Sequence, residues 1–181
     1  MSVFKVASRY AKSLLDLVKD NGKLEQSKAD IELIAEVIRS NSELKAVLSN
    51  PIVKIDKKQN ILKSLFTGKV GEEVLSFLDI MVRKGRGELV YPTALEFLRE
   101  YDELKGIVHA EVVSAAPLSQ TNLEALKANI AAQIIAQVVL TNKVDESLIG
   151  GFVVTVGDRQ IDASIAGRLD NLERHFTVQG V

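Results

Sequence analysis

The sequence predicts an α+β protein in two parts: a six-helix bundle over residues 1–105 and a small α/β unit over residues 106–181. Three observations lead there. Apolar residues recur at helical spacing through the first 105 residues, in short runs separated by turn signals. At Gly106 the period changes, and Ile107 to Ala115 is β-branched and mostly alternating. Aromatic residues make up only 5% of the chain and Trp is absent, so Leu, Ile, Val and Ala must fill the core, which favours helix packing.

The first helix spans residues 3–20. Phe4, Ala7, Ala11, Leu14 and Val18 form one apolar stripe, and Val3, Val6, Tyr10 and Leu17 a second. Two apolar faces exceed what one core contact requires. Asn21-Gly22 stops the helix, with Gly22 suited to the left-handed position after a C-terminus. A second helix follows over residues 24–39, with Ile31, Ile34, Ala35 and Ile38 inward. Ser42 is a candidate cap for a short third helix, and Asp56 for a fourth over residues 57–66, where Ile61, Leu62, Leu65 and Phe66 face in. The fifth, residues 72–84, is apolar nearly all round. Gly85 and Gly87 end it. The sixth spans residues 89–104, with Pro92 in its first turn and Leu95, Leu98 and Tyr101 inward.

After Gly106 the expected order is β-α-β-β-β-α. Ser119 caps a helix whose Leu123, Leu126, Ile130 and Ile134 share a face. Val138 to Leu140 and Gly151 to Val156 read as strands, Glu146 to Leu148 as a turn, and Gly157-Asp158 as a hairpin turn returning through Arg159 to Asp162. Ser164 caps a terminal helix through Phe176. About 75 residues is near the lower limit for a free-standing core.

Several chemistries are disfavoured. With no Cys in the chain there is no disulfide, thiol nucleophile or thiolate metal site. Residues 1–105 carry 18 basic and 16 acidic side chains, and residues 106–181 carry 5 and 8. Neither balance draws nucleic acid, so none is expected as a partner. The N-terminus lacks the contiguous apolar stretch of a secretory signal and reads as a folded helix. No apolar run is long enough to span a bilayer.

Candidate sites are few. Gly150-Gly151 lacks the spacing and the Lys-Ser/Thr of a phosphate loop and leads into a strand, so backbone geometry explains it better. Asp145, Asp158 and Asp162 sit at expected turns and a cap, where Asp serves local hydrogen bonds. They motivate a small hydrolase or transferase as one alternative. His109 and His175 have no metal-ligand spacing. Arg83-Lys84-Gly85-Arg86, at a helix C-terminus, motivates an RNA-binding module as another, but no aromatic stacking residues accompany it. No catalytic residue, metal or cofactor is expected. The surplus apolar faces of the first and fifth helices are the strongest feature. They point to a groove that accepts an amphipathic helix from another chain.

Five stretches, in order along the chain, resemble one family: ASRYAKSLL (Ala7 to Leu15), KGRGEL (Lys84 to Leu89), VVSAAPLS (Val112 to Ser119), VDESLIGGFVVTVGD (Val144 to Asp158) and QIDASIAGRL (Gln160 to Leu169). The chain is similar to the delta subunits of bacterial ATP synthases, relatives of the mitochondrial oligomycin-sensitivity-conferring protein. Glu146, Ala163 and Ala166 depart from the residues usual there, which are Pro, Gly and Arg. The resemblance implies a non-catalytic stator subunit. Its N-terminal domain would bind an N-terminal helix of an alpha subunit between its first and fifth helices. Its C-terminal domain would bind the end of the b-subunit coiled coil. Membrane association would be indirect, at the cytoplasmic face of a bacterial cell membrane. By the same analogy Val6, Tyr10, Leu14, Leu75, Leu78 and Val82 are the groove candidates.

Overall fold

The computed structural model describes residues 3–134, 137–157 and 159–179. It divides into two compact units, Met1–Leu104 and Lys105–Val181.

The first unit is all-helical: α1 (Val3–Asp20), α2 (Leu24–Ser40), α3 (Ser42–Ser49), α4 (Ile55–Phe66), α5 (Glu72–Arg83) and α6 (Val90–Lys105), with a 3-10 turn at Gly87–Leu89. Its core is mostly aliphatic, with Phe66 and Phe97 the largest side chains fully buried in it. Leu14 and Val18 of α1, Ile34 and Ile38 of α2, Phe66 of α4, Val74, Met81 and Val82 of α5, and Val90 and Phe97 of α6 are all buried. Burying side chains of this size stabilises the fold by roughly 1.5–3 kcal/mol each before chain entropy is subtracted.

Side-chain caps lock the helices to one another. Asp30 of α2, itself buried, accepts a hydrogen bond from the Gly71 N–H at 2.8 Å, at the start of α5. A carboxylate from α2 thus satisfies an N–H at the start of α5 that α5 cannot satisfy itself. Lys58 Nζ donates to the Leu48 carbonyl at 2.7 Å, closing the C-terminal end of α3 from α4.

Three local expectations are corrected. Asn41, not Ser42, caps α3, its Oδ1 accepting from the Leu44 N–H at 3.1 Å. Helix α4 begins at Ile55, which places Asp56 in the first turn, where its charge still faces the helix dipole. On α6 the inward stripe is Val90, Ala94, Phe97 and Tyr101, and Leu95 is exposed.

Tyr101 donates its hydroxyl to Glu25 Oε2 at 2.6 Å, joining α6 to α2. That bond, reinforced by burial, pushes the Tyr101 phenol up from the ordinary value of 10.0 to about 12. The neutral phenol is the form the fold favours. Its contribution is therefore complete below pH 10 and is lost as pH rises through about 12. In an alkaline absorbance titration, one of the three tyrosines ionises near pH 12. Tyr101→Phe removes that transition; if what it removes is instead a titration near pH 10, the Glu25 bond is not made in solution.

The second unit is a four-stranded mixed sheet with two helices: β1 (Ile107–Ser114), α7 (Gln120–Ile134), β2 (Gln137–Val144), β3 (Phe152–Val156), β4 (Arg159–Asp162) and α8 (Ile165–Gln179), with a 3-10 turn at Glu146–Leu148. The strand order is β2-β1-β3-β4. β1 runs parallel to β2, pairing Ala110 with Leu140, and antiparallel to β3, pairing Val112 with Val154. The crossover through α7 is what a parallel pair requires. Period-2 alternation turns Ala110, Val112, Val138 and Val154 to one face, where Ile130 and Leu126 of α7 pack. Ser119 Oγ accepts from the Asn122 N–H at the start of α7, and Ser164 Oγ from the Gly167 N–H at the start of α8. β2 is longer than the three residues expected, because the register with β1 continues to Val144. Asp158 and the side chains of Ile134, His175 and Phe176 lie outside the described residues.

Candidate partner-binding groove

Helices α1 and α5 lie side by side and antiparallel. Tyr10, near the middle of α1, packs edge-on against Phe77 at a ring separation of 6.1 Å. The Arg86 guanidinium, beyond the end of α5, sits 5.4 Å over the Tyr10 ring. At the other end, Lys23 just past α1 pairs with Glu73 of the first turn of α5 at 2.5 Å.

The two helices border an open groove of about 450 Å3. Its apolar lining is Leu14 and Leu17 from α1 and Phe77 and Ile80 from α5. Leu17 and Ile80 are each close to half exposed, at 47% and 48%. Ser13, Asn21, Glu72, Glu73 and Ser76 form the polar margin. An apolar floor with a polar rim between two helices suits the apolar stripe of a third helix.

The sequence candidates divide. Val6 and Tyr10 are half-buried on α1, and Leu14 is buried at the groove floor. Leu78 and Val82 are core residues, 3% and 1% exposed, and do not line the groove. Leu75 is half-buried but lies about 160° around α5 from Phe77. The reason is the inward face of α5, set by Val74, Leu78, Met81 and Val82 at i, i+4, i+7 and i+8. Phe77 then sits at the edge of that face, about 40° around from Met81, and Ile80 points away from it. In so uniformly apolar a run, the signal that could have found them is the polar Ser76 between acidic Glu73 and Asp79, which marks the outer side.

The remaining candidates serve local structure. The Asp145 Oδ1 accepts from the Ser147 N–H at 2.9 Å, and the Asp162 Oδ1 from the Ser164 N–H at 2.8 Å. Those bonds hold both carboxyls below the usual carboxylate range. Gly150 and Gly151 border a concavity of about 640 Å3 walled by Pro117, Leu118, Leu126 and Phe152, with no cationic side chain in its lining. That lining offers a phosphate no cationic side chain to neutralise its charge. Gly85, with φ of +71°, ends α5: its N–H bonds the Val82 carbonyl, and the Arg86 N–H bonds that of Met81. The Arg83–Arg86 cluster is thus a helix terminus. No group of three His, Cys, Asp or Glu among the described residues is arranged to hold a metal ion. No described helix is long and apolar enough to cross a membrane.

Residues 6–176 match the family described as the ATP synthase delta (OSCP) subunit. The chain belongs to that family. The ATP synthase subunit delta of Cytophaga hutchinsonii is 40% identical over 179 residues, 99% of this chain and 98% of the relative. That of Flavobacterium psychrophilum is 36% identical over 98% of this chain and 99% of its own. The chloroplastic subunit delta of Emiliania huxleyi is 35% identical over 95% and 96%. A chain in the cryo-EM structure of the Toxoplasma gondii mitochondrial ATP synthase hexamer has the same fold, with a TM-score of 0.71 at 21% identity, covering 94% of this chain and 97% of that one. Membership makes the protein a non-catalytic stator subunit of the peripheral stalk.

Proposed function

We propose that the chain joins the catalytic head of an ATP synthase to its b-subunit stalk through two separate surfaces. The N-terminal unit holds the N-terminal helix of an alpha subunit in the α1–α5 groove. The C-terminal unit holds the end of the b-subunit coiled coil. Membrane association is indirect, through those partners, at the cytoplasmic face of a bacterial membrane.

The observation that carries the reading is the groove itself: paired, half-exposed Leu17 and Ile80 above buried Leu14. A stator subunit needs adhesion rather than chemistry, and a helix-in-groove contact supplies it from apolar area. A second stripe supports the b-subunit contact. Ile165, Leu169 and Leu172 of α8 follow one another at i, i+4 and i+7, and each is about half exposed. That spacing fits the seam of a coiled-coil partner.

Co-purification from cells expressing a tagged copy tests the proposal. Alpha and b subunits are expected in the eluate. Recovery of the tagged chain without either, from cells that make both, overturns it.

A further inference from the structure

We propose that the α1–α5 groove also selects the orientation of the helix it holds, by the order of charges along its two rims. This rests on the docking reading above.

Both helices are electrically polarised, and in matching senses. On α1 the exposed positions to one side of the groove, about 80–120° around the helix from Tyr10, run from Arg9 to Asp16 and Asp20. On α5 they run from Glu72 to Arg83, followed by Lys84. Because the helices are antiparallel, like ends coincide. Asp16, Asp20, Glu72 and Glu73 gather at one end, and Arg9, Arg83, Lys84 and Arg86 at the other. The Tyr10–Arg86 and Lys23–Glu73 contacts fix this pairing of ends.

Counter-charges reduce the asymmetry without reversing it. Lys23 neutralises Glu73, and Asp79 pairs with Arg83 at 2.8 Å and lies 3.8 Å from Lys63. Lys19 and Lys12 point away from the groove, about 180° and 160° around α1 from Tyr10. Asp16, Asp20 and Glu72 remain exposed at one end, and Arg9, Lys84 and Arg86 at the other. Eleven residues of helix separate Arg9 from Asp20 and Glu72 from Arg83, roughly 16 Å. That exceeds the screening length of about 8 Å at physiological salt, so the two ends act as separate poles. The fitting occupant is an amphipathic helix with basic side chains at the Glu72 end and acidic ones at the Arg86 end. Charge order of this kind sets register and orientation more than affinity.

Two peptides of about 20 residues test this. Both carry the apolar stripe of the alpha subunit's N-terminal segment. One has acidic residues in its N-terminal half and basic ones in its C-terminal half; the other has the reverse. A nitroxide marks the basic end of each, and the full chain is observed through its Leu and Val methyl signals. Both labels are expected to broaden Leu17 more strongly than Val6. Labels falling at opposite ends of the groove, so that chain direction and not charge decides, overturn the inference and leave docking intact. Failure of both peptides to bind at low salt overturns the docking reading itself.

Discussion

Ile80→Asp weakens binding of the alpha-subunit N-terminal segment by about 30-fold, the effect of losing a central interface contact of about 2 kcal/mol. The variant keeps its helical circular dichroism and its thermal midpoint within a few degrees. The reason is position. Ile80 is 48% exposed, so a carboxylate there stays in water in the free protein. It would have to be desolvated against an apolar stripe only on binding. Leu78→Asp, two residues away, behaves differently. Leu78 is 3% exposed, and an unpaired charge at that depth costs several kcal/mol, comparable with the whole stability of a small unit. It loses helicity and binding together. Calorimetric titration beside circular dichroism separates the two. If Ile80→Asp binds as tightly as wild type, the groove is not the docking surface.

Gly151→Ala melts the C-terminal unit and spares the N-terminal one. Gly151 has φ of +81°, and a Cβ there would lie 2.5 Å from the Ala163 carbonyl oxygen and 2.9 Å from the Ser164 Cα. Both are backbone atoms, pinned by the Ala163 N–H bond to the Phe152 carbonyl and the Ile165 N–H bond to that of Gly150. Relief requires pulling β3 away from the start of α8. The left-handed conformation alone costs about 1 kcal/mol for Ala, and the clash adds to it. A unit of this size has little to spare. Methyl signals of Val112, Val138 and Val154 should collapse, while those of Leu14, Ile34 and Val74 keep their positions. Unchanged Val112 and Val154 signals would mean that the Gly151 turn relaxes at little cost.

The residues that made the fold legible are those whose local chemistry and tertiary role agree. Gly106 marks the change of period and has φ of +63° at the start of β1. Ser119, Ser164 and Gly151 do in the structure what their types do in any turn or cap. The misplacements arose where the local signal was ambiguous. Asn41 and Ser42 are both good caps, and only packing decides which residue stands outside α3. Leu95 is apolar in a helix whose inward stripe, Val90-Ala94-Phe97-Tyr101, is complete without it. The groove was legible as two helices with surplus apolar surface, but not residue by residue. Along Val74 to Val82, Leu75, Leu78 and Val82 are no less hydrophobic than Phe77 and Ile80. Ser76, between Glu73 and Asp79, marks the outer side of α5, but which apolar neighbours join the groove depends on where α1 sits.

On the proposed function, one chain holds head and stalk simultaneously through independent surfaces. Mass photometry of the full chain, mixed with the isolated catalytic head and a C-terminal fragment of the b subunit, tests it most directly. The expected result is a single particle containing all three, from which Ile80→Asp sheds the head and Leu169→Asp sheds the b fragment. Two mutually exclusive binary complexes, or either substitution releasing both partners from a still-folded chain, would contradict it.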